Sequence, residues 1–137
     1  MILTKDQLAQ LVAQAREHAP FETCGLIGGK GGRALKIYPI KNVAADRVKK
    51  YLMEPQAQFN ALSEIDKNEW DVTAIYHSHP ATQAYPSQTD VNDAYDPNFN
   101  EELYPGTTYI LISLANSAQA LVRGFQIVES KVTEITV

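Results

Sequence analysis

Leu8, Leu11, Val12 and Ala15 recur at helical spacing with polar residues between them. Thr4 and Gln7 read as a capping box, and Leu3 and Leu8 flank it at the spacing of a hydrophobic staple, so a helix is expected from Lys5 until Pro20 ends it. The period then shortens. Residues 23–29 and 34–40 read as strands joined by a glycine turn at 30–32, the pattern of a hairpin. A polar connector, 41–50, leads to a short expected strand at 51–53, and Pro55 opens a second helix whose core stripe is expected at Phe59, Leu62 and Ile65. Val72, Thr73, Ile75 and Tyr76 mark a strand over 70–77 that Pro80 stops, which leaves the HSHP segment at its end. Ser87 followed by Asp90 reads as the start of a short helix that Pro97 must terminate, and 96–106 reads as a loop. Three strands close the chain, at 108–114, 119–127 and 131–137, the last an edge.

This order of elements predicts a single α/β domain over residues 1–137: a curled, mixed, mainly antiparallel sheet flanked by helices. A chain of 137 residues with 45% hydrophobic and 20% charged content can bury a core of its own. Its net charge of -4 repels phosphate backbones and anionic lipid surfaces, so neither nucleic acid nor membrane is an expected partner. Cys24 is the only cysteine, which excludes an intrachain disulfide and any four-cysteine zinc site and suits a reducing compartment. Lys5 and Asp6 interrupt what a signal peptide would need as an apolar core, so a cytoplasmic location is expected.

With thiolates excluded, a metal must be held by histidine and carboxylate. Strand side chains alternate faces, so His77 and His79 project to one side and Ser78 to the other. A catalytic zinc site needs three protein ligands and an open fourth position, and Asp90, placed on a first helical turn by Ser87, is the natural third. One zinc per chain is expected. A lone His-x-His also occurs as ordinary strand sequence; Ser87 and Asp90 at fixed distances downstream make the pattern specific. The acid that would reach the metal stays open on this reasoning, among Glu22, Glu54, Glu64 and Glu69. Cys24 reads as a small buried hydrophobe and His18 as a cation suited to a helix C-terminus. Tyr85, Tyr95, Tyr104 and Tyr109 read as buried rings with wet hydroxyls, though a substrate groove would use the same residues, and Asn42 stays undecided.

The segment HSHPATQAYPSQTD matches, at every position, the His-x-His, seven residues, Ser, two residues, Asp pattern of the JAMM (MPN-plus) metallopeptidases. PFETCGLIGG resembles the stretch in which that family carries its catalytic glutamate, and the resemblance covers nearly the whole domain. It implies a JAMM/MPN-like fold of cytidine-deaminase-like architecture. It also implies that His77, His79 and Asp90 bind zinc, that Glu22 handles the proton of the attacking water, and that Ser87 hydrogen-bonds the developing oxyanion. The chain resembles the compact bacterial and archaeal members, which implies hydrolysis of an amide bond at the Gly-Gly terminus of a ubiquitin-like or sulfur-carrier protein.

Competing classes are narrowed by length and composition. An amidohydrolase barrel, which also uses a His-x-His strand, needs about 200 residues or more. Zinc nucleobase deaminases need a cysteine pair that this chain lacks. A relative acting in DNA metabolism is disfavoured by the acidic balance. The remaining alternative is a noncatalytic MPN-type interaction scaffold with a structural metal, although such relatives typically lack the metal motif.

Overall fold

The computed structural model describes residues 1–96, 101–116 and 118–137. Helix α1 (Lys5–His18) starts as the capping box predicts: the Thr4 hydroxyl accepts from the Gln7 N–H at 3.1 Å and the Gln7 side chain accepts from the Thr4 N–H at 2.8 Å. Strands β1 (Cys24–Lys30) and β2 (Arg33–Ile40) pair antiparallel about Gly31 and Gly32, whose φ of 61° and 76° favour residues without a Cβ. Helix α2 (Pro55–Lys67) is capped by Glu54, whose carboxylate accepts from the N–H groups of Gln56 and Ala57. Strand β3 (Asp71–His79) runs two residues beyond the expected end, so both histidines lie within it.

After β3 come the short helix α3 (Gln88–Asp93) and two-residue strands β4 (Tyr95–Asp96) and β5 (Glu101–Glu102), then β6 (Thr108–Ser113), β7 (Leu121–Val128) and β8 (Lys131–Ile135). The main sheet has six strands in the order β2-β1-β3-β6-β7-β8. Only β3 and β6 run parallel, and the segment carrying α3 is the crossover that a parallel pair requires. The sheet is therefore mixed and mainly antiparallel, as expected, with β8 at one edge and β2 at the other.

Period-two alternation divides the core. On β1 and β3, Cys24, Leu26 and Ile75 face the layer that holds Ala61 and Ile65 of α2, while Ile27, Ala74 and Tyr76 face Leu11 and Ala15 of α1. Each face of the sheet thus has its own helix. Among the described residues no helix is long and apolar enough to cross a membrane.

Four expectations need correction. Phe59 is 64% exposed, because it lies roughly 200° round the helix from Ala61 and so points away from the sheet. The expected strand at 51–53 is a single bridge between Asn42 and Met53. Helix α3 stops at Asp93, where the chain turns into the β4–β5 pairing, and not at Pro97, which lies outside the described residues. All of that pairing but Tyr95 falls in the segment read as a loop.

Candidate metal centre

The alternation that sorts the core also builds the site. His77 and His79 share the α2 face of β3, whereas Ser78 points to the other and is fully buried, its hydroxyl accepting from the N–H and the hydroxyl of Thr23 at 2.8 and 3.1 Å. Asp90 arrives from α3. Its Oδ2 accepts from the Ser87 N–H at 2.8 Å while the Ser87 hydroxyl accepts from the Asp90 N–H at 3.1 Å, a reciprocal capping box that fixes the carboxylate.

Three atoms converge. His77 Nε2 and His79 Nε2 are 3.0 Å apart, and Asp90 Oδ2 lies 3.2 Å from the first and 3.3 Å from the second. A tetrahedral ion with bonds of about 2.0–2.1 Å separates its ligands by roughly 3.3–3.4 Å, close to this triangle. Hydrogen bonding between two neutral imidazoles and the carboxylate does not satisfy it. His79 Nδ1 lies 2.9 Å from the Gln83 carbonyl, which only accepts, so Nδ1 carries the proton and a neutral ring presents a bare lone pair at Nε2. At most one proton, on His77, is then available for three contacts, and Asp90 Oδ2 is an acceptor throughout. A cation at the centre satisfies all three, so the donor set fits zinc.

The ionisation of these groups follows from burial and mutual proximity. Burial pushes the His77 imidazole below its usual range against the pull of Asp90. Burial also works to lower His79, but hydrogen bonds to Asp90 and the Gln83 carbonyl outweigh it and hold this ring above the usual value. For Asp90 burial favours the neutral acid, yet both imidazoles and the Ser87 N–H prevail and keep the carboxyl far below the ordinary range.

Glu22 precedes β1. The β1–β3 ladder pairs Cys24 with His77, and the Ser78 N–H bonds the Thr23 carbonyl at 3.0 Å, so the same register carries Glu22 beside His79. The residue is 8% exposed. Burial pushes its carboxyl up to about 7, opposed by His79 and reinforced by Asp90 and Asp46. The other acids left open by the sequence are engaged elsewhere or exposed: Glu54 caps α2, Glu64 pairs with Lys36 at 2.8 Å, and Glu69 lies in the turn after α2 with φ 57°.

Residues 4–126 match the family described as prokaryotic homologs of the JAB domain. The chain belongs to this family, which is of JAMM type. It is 31% identical over 136 residues to the CysO-cysteine peptidase of Mycobacterium tuberculosis, covering 98% of this chain and 87% of that protein. Over 117 residues it is 30% identical to the desampylase of Haloferax volcanii, covering 81% and 78% of the two. The solution structure of protein DSY2949 from Desulfitobacterium hafniense superimposes with a TM-score of 0.78 at 34% identity, over 96% of this chain and 87% of that one.

Within this JAB-type domain two cavities border the centre. One, about 610 Å³, touches Asp90 and draws its walls from the connector (Tyr51, Leu52, Met53) and from the segment after the metal motif (Asp93, Tyr95, Leu103, Tyr104), with Tyr109 also in its lining. Tyr85 lies outside it, its ring against Phe125. The other, about 420 Å³, touches Glu22 and includes His18, Phe21, Lys41, Asn42 and Arg47.

Of two further residues at the site, Tyr51 carries no sign in the sequence of its contact, and Asn42 stays undecided there. Tyr51 stacks on the His77 ring with centroids 4.5 Å apart, bracing an imidazole that the strand alone leaves free to turn. Asn42 spends its whole hydrogen-bonding capacity around Glu22: Nδ2 donates to the carbonyls of Glu22 and Lys50, both at 2.9 Å, and Oδ1 accepts from the N–H groups of Ala44 and Leu52, both at 3.0 Å. A lone Asn amid a polar connector carried no sign of this. Cys24 is buried as expected, its thiol pushed up to about 12 by burial and thus inert.

Proposed function

We propose that this chain is a zinc-dependent metallopeptidase that hydrolyses an amide bond at the Gly-Gly terminus of a ubiquitin-like or sulfur-carrier protein. The observation that carries the reading is the triangle of His77, His79 and Asp90 donor atoms at tetrahedral separation with Glu22 beside it. When bound, zinc lowers the pKa of a water to about 7 and polarises the scissile carbonyl. Glu22, buried beside His79, accepts the proton of the attacking water and returns it to the leaving amine. Ser87 accepts the Asp90 N–H through Oγ, which leaves its own O–H hydrogen to donate to the carbonyl oxygen as charge develops there. No side chain needs to form a covalent bond to substrate.

The peptidase and desampylase names of the relatives support the reaction class. The larger cavity supports the substrate: a chain passing between the connector and the segment after the metal motif runs close to Asp90, where small residues pass most easily. The test combines metal analysis with cleavage. Purified protein carries about one zinc per chain, Asp90→Ala loses it, and a ubiquitin-like carrier extended beyond Gly-Gly is cut, with a sharply lower rate when the penultimate glycine becomes valine. Protein that neither contains zinc nor takes it up would sink the reading; equal cleavage of the glycine and valine substrates removes only the narrow passage.

A further inference from the structure

One wall of the larger cavity carries a carboxylate that no ion pair balances among the described residues. Between Lys67 and Arg123 the sequence has seven acids and no lysine or arginine. This stretch builds the metal centre and, through Asn92, Asp93, Tyr95, Leu103 and Tyr104, one wall of the cavity of about 610 Å³. Among the described residues no cation lines that cavity. Asp90 is committed to the two imidazoles and the Ser87 N–H. Asp93 forms no ion pair with another described residue. It ends α3, where the helix dipole disfavours a carboxylate, and it stands one turn from Asp90, a spacing at which like charges destabilise a helix. Burial and Asp90 push its carboxyl above the ordinary range, opposed by Lys50 and His77. The fold gains nothing from this charge.

The rest of the lining suits a cation. Tyr51, Tyr95, Tyr104 and Tyr109 border the same space. The Tyr95 hydroxyl accepts from the Ser130 N–H at 2.6 Å and the Tyr104 hydroxyl from the Gln58 side chain at 3.1 Å, which holds both rings in place. Aromatic walls beside one carboxylate favour an ammonium or guanidinium on an apolar stem, because the stem packs on the rings while the head gains both charge and π attraction. Resting on the hydrolase reading above, we infer that this cavity is a subsite for a lysine or arginine side chain of the acyl tail, with Asp93 as its specificity-determining residue. The tail that runs past Asp90 enters this cavity, since Asp90 belongs to its lining. An extended chain advances ~3.3 Å per residue, so two glycines carry it roughly 7 Å from the scissile carbonyl, while α3 rises about 4.5 Å from Asp90 to Asp93. The residue before the glycines is therefore the first whose side chain can reach Asp93. The glycines pass the metal, and the residue behind them is read by charge.

The experiment uses two synthetic peptides, Ala-Ala-Lys-Gly-Gly and its counterpart with norleucine in place of lysine, which share one stem and differ by one ammonium. Both end as a hydrolysis product would, so calorimetry on the purified protein reads affinity apart from catalysis. The lysine peptide binds about tenfold more tightly, the scale of one charge contact against an aromatic wall, and the difference shrinks at high salt. Asp93→Asn brings the lysine peptide down to the level of the norleucine one without lowering the melting temperature, because the charge it removes opposes α3. Lys50→Gln, which removes a competing cation, widens the preference. With one alanine added after Gly-Gly, the wild type cuts the lysine peptide with kcat/KM about tenfold higher than its counterpart, and Asp93→Asn brings the ratio near one. Failure to bind either peptide, equal binding of the two, or a preference that survives Asp93→Asn overturns the subsite. If the binding preference holds while neither extended peptide is cut, the hydrolase reading fails and the cation subsite stands.

Discussion

Two parts of the centre are held in place by different means. His77, His79 and Glu22 are carried by the β1–β3 ladder, where backbone hydrogen bonds and a buried Thr23–Ser78 contact set every side chain's position together. Asp90 and Ser87 sit on a six-residue helix and are fixed by one capping box, with Ser87 itself exposed. The ladder half is part of the fold. The helix half is a local device that brings the Asp90 carboxylate to a face that already carries the two imidazoles.

If that contrast is right, changes on the ladder side should act on chemistry with little change of shape. Glu22→Gln keeps the carbonyl and N–H bonds that tie the residue to Asn42 and Arg47, so zinc content and melting temperature stay close to wild type. Turnover falls by a factor on the order of 10²–10⁴, the range for a positioned general base. Full activity in this variant would move the base to another residue. Ser87→Ala probes the helix half and has two separable consequences. Loss of the oxyanion donor costs about 3 kcal/mol in kcat, roughly a hundredfold, and loss of the cap costs about 1 kcal/mol in stability. A variant that melts lower but turns over normally would make Ser87 a cap alone.

How much of this was readable beforehand follows the same divide. The histidines and the capping pair are local patterns, a period of two and a spacing of three, so the sequence displays them directly. Glu22 needed the pairing of residues 55 apart to place it beside His79, and no local period encodes that register. Asn42 bonds only to backbone groups, which look alike in any sequence, and Tyr51 acts through a ring contact across the chain. Phe59 has the size of a core residue but not the phase of the α2 stripe; the small Ala61 holds the position facing the sheet. The β4–β5 pairing has two residues in each strand, too short to show alternation.

Asn42 tests whether the ladder half depends on the connector. Asn42→Asp puts acceptors against the carbonyls of Glu22 and Lys50, taking the donor from a buried carbonyl in the first case and a part-buried one in the second. A loss of about 1–3 kcal/mol in stability is expected, with a further loss of turnover as Glu22 shifts and zinc content unchanged. Unchanged turnover in the folded variant would show that Thr23 and Ser78 alone keep Glu22 in position.

The smallest effect expected is a pH dependence of stability that belongs to the ladder half alone. A carboxyl that titrates near 7 in the folded chain and near 4.3 in the unfolded one binds its proton more tightly when folded. Stability from this group is therefore fully present below about pH 4.3 and is lost as pH rises through about 7, the reverse of a salt-bridged carboxylate. Asp90 and His79 also titrate differently in the two states, so the wild-type curve mixes several slopes. Subtracting the Glu22→Gln curve leaves the slope of Glu22 together with its coupling to His79 and Asp90, provided both proteins are metal-free, since a bound dication would pull the Glu22 carboxyl down again. The full shift corresponds to at most about 4 kcal/mol, and relaxation around the new charge brings the expected difference nearer to ~1–2 kcal/mol. Urea unfolding of both proteins at several pH values between 4 and 8 measures it: the wild type should weaken relative to the variant as pH rises. Parallel curves would mean that the carboxylate is well solvated in the metal-free protein, so that a dry Glu22 requires the bound substrate and not the fold.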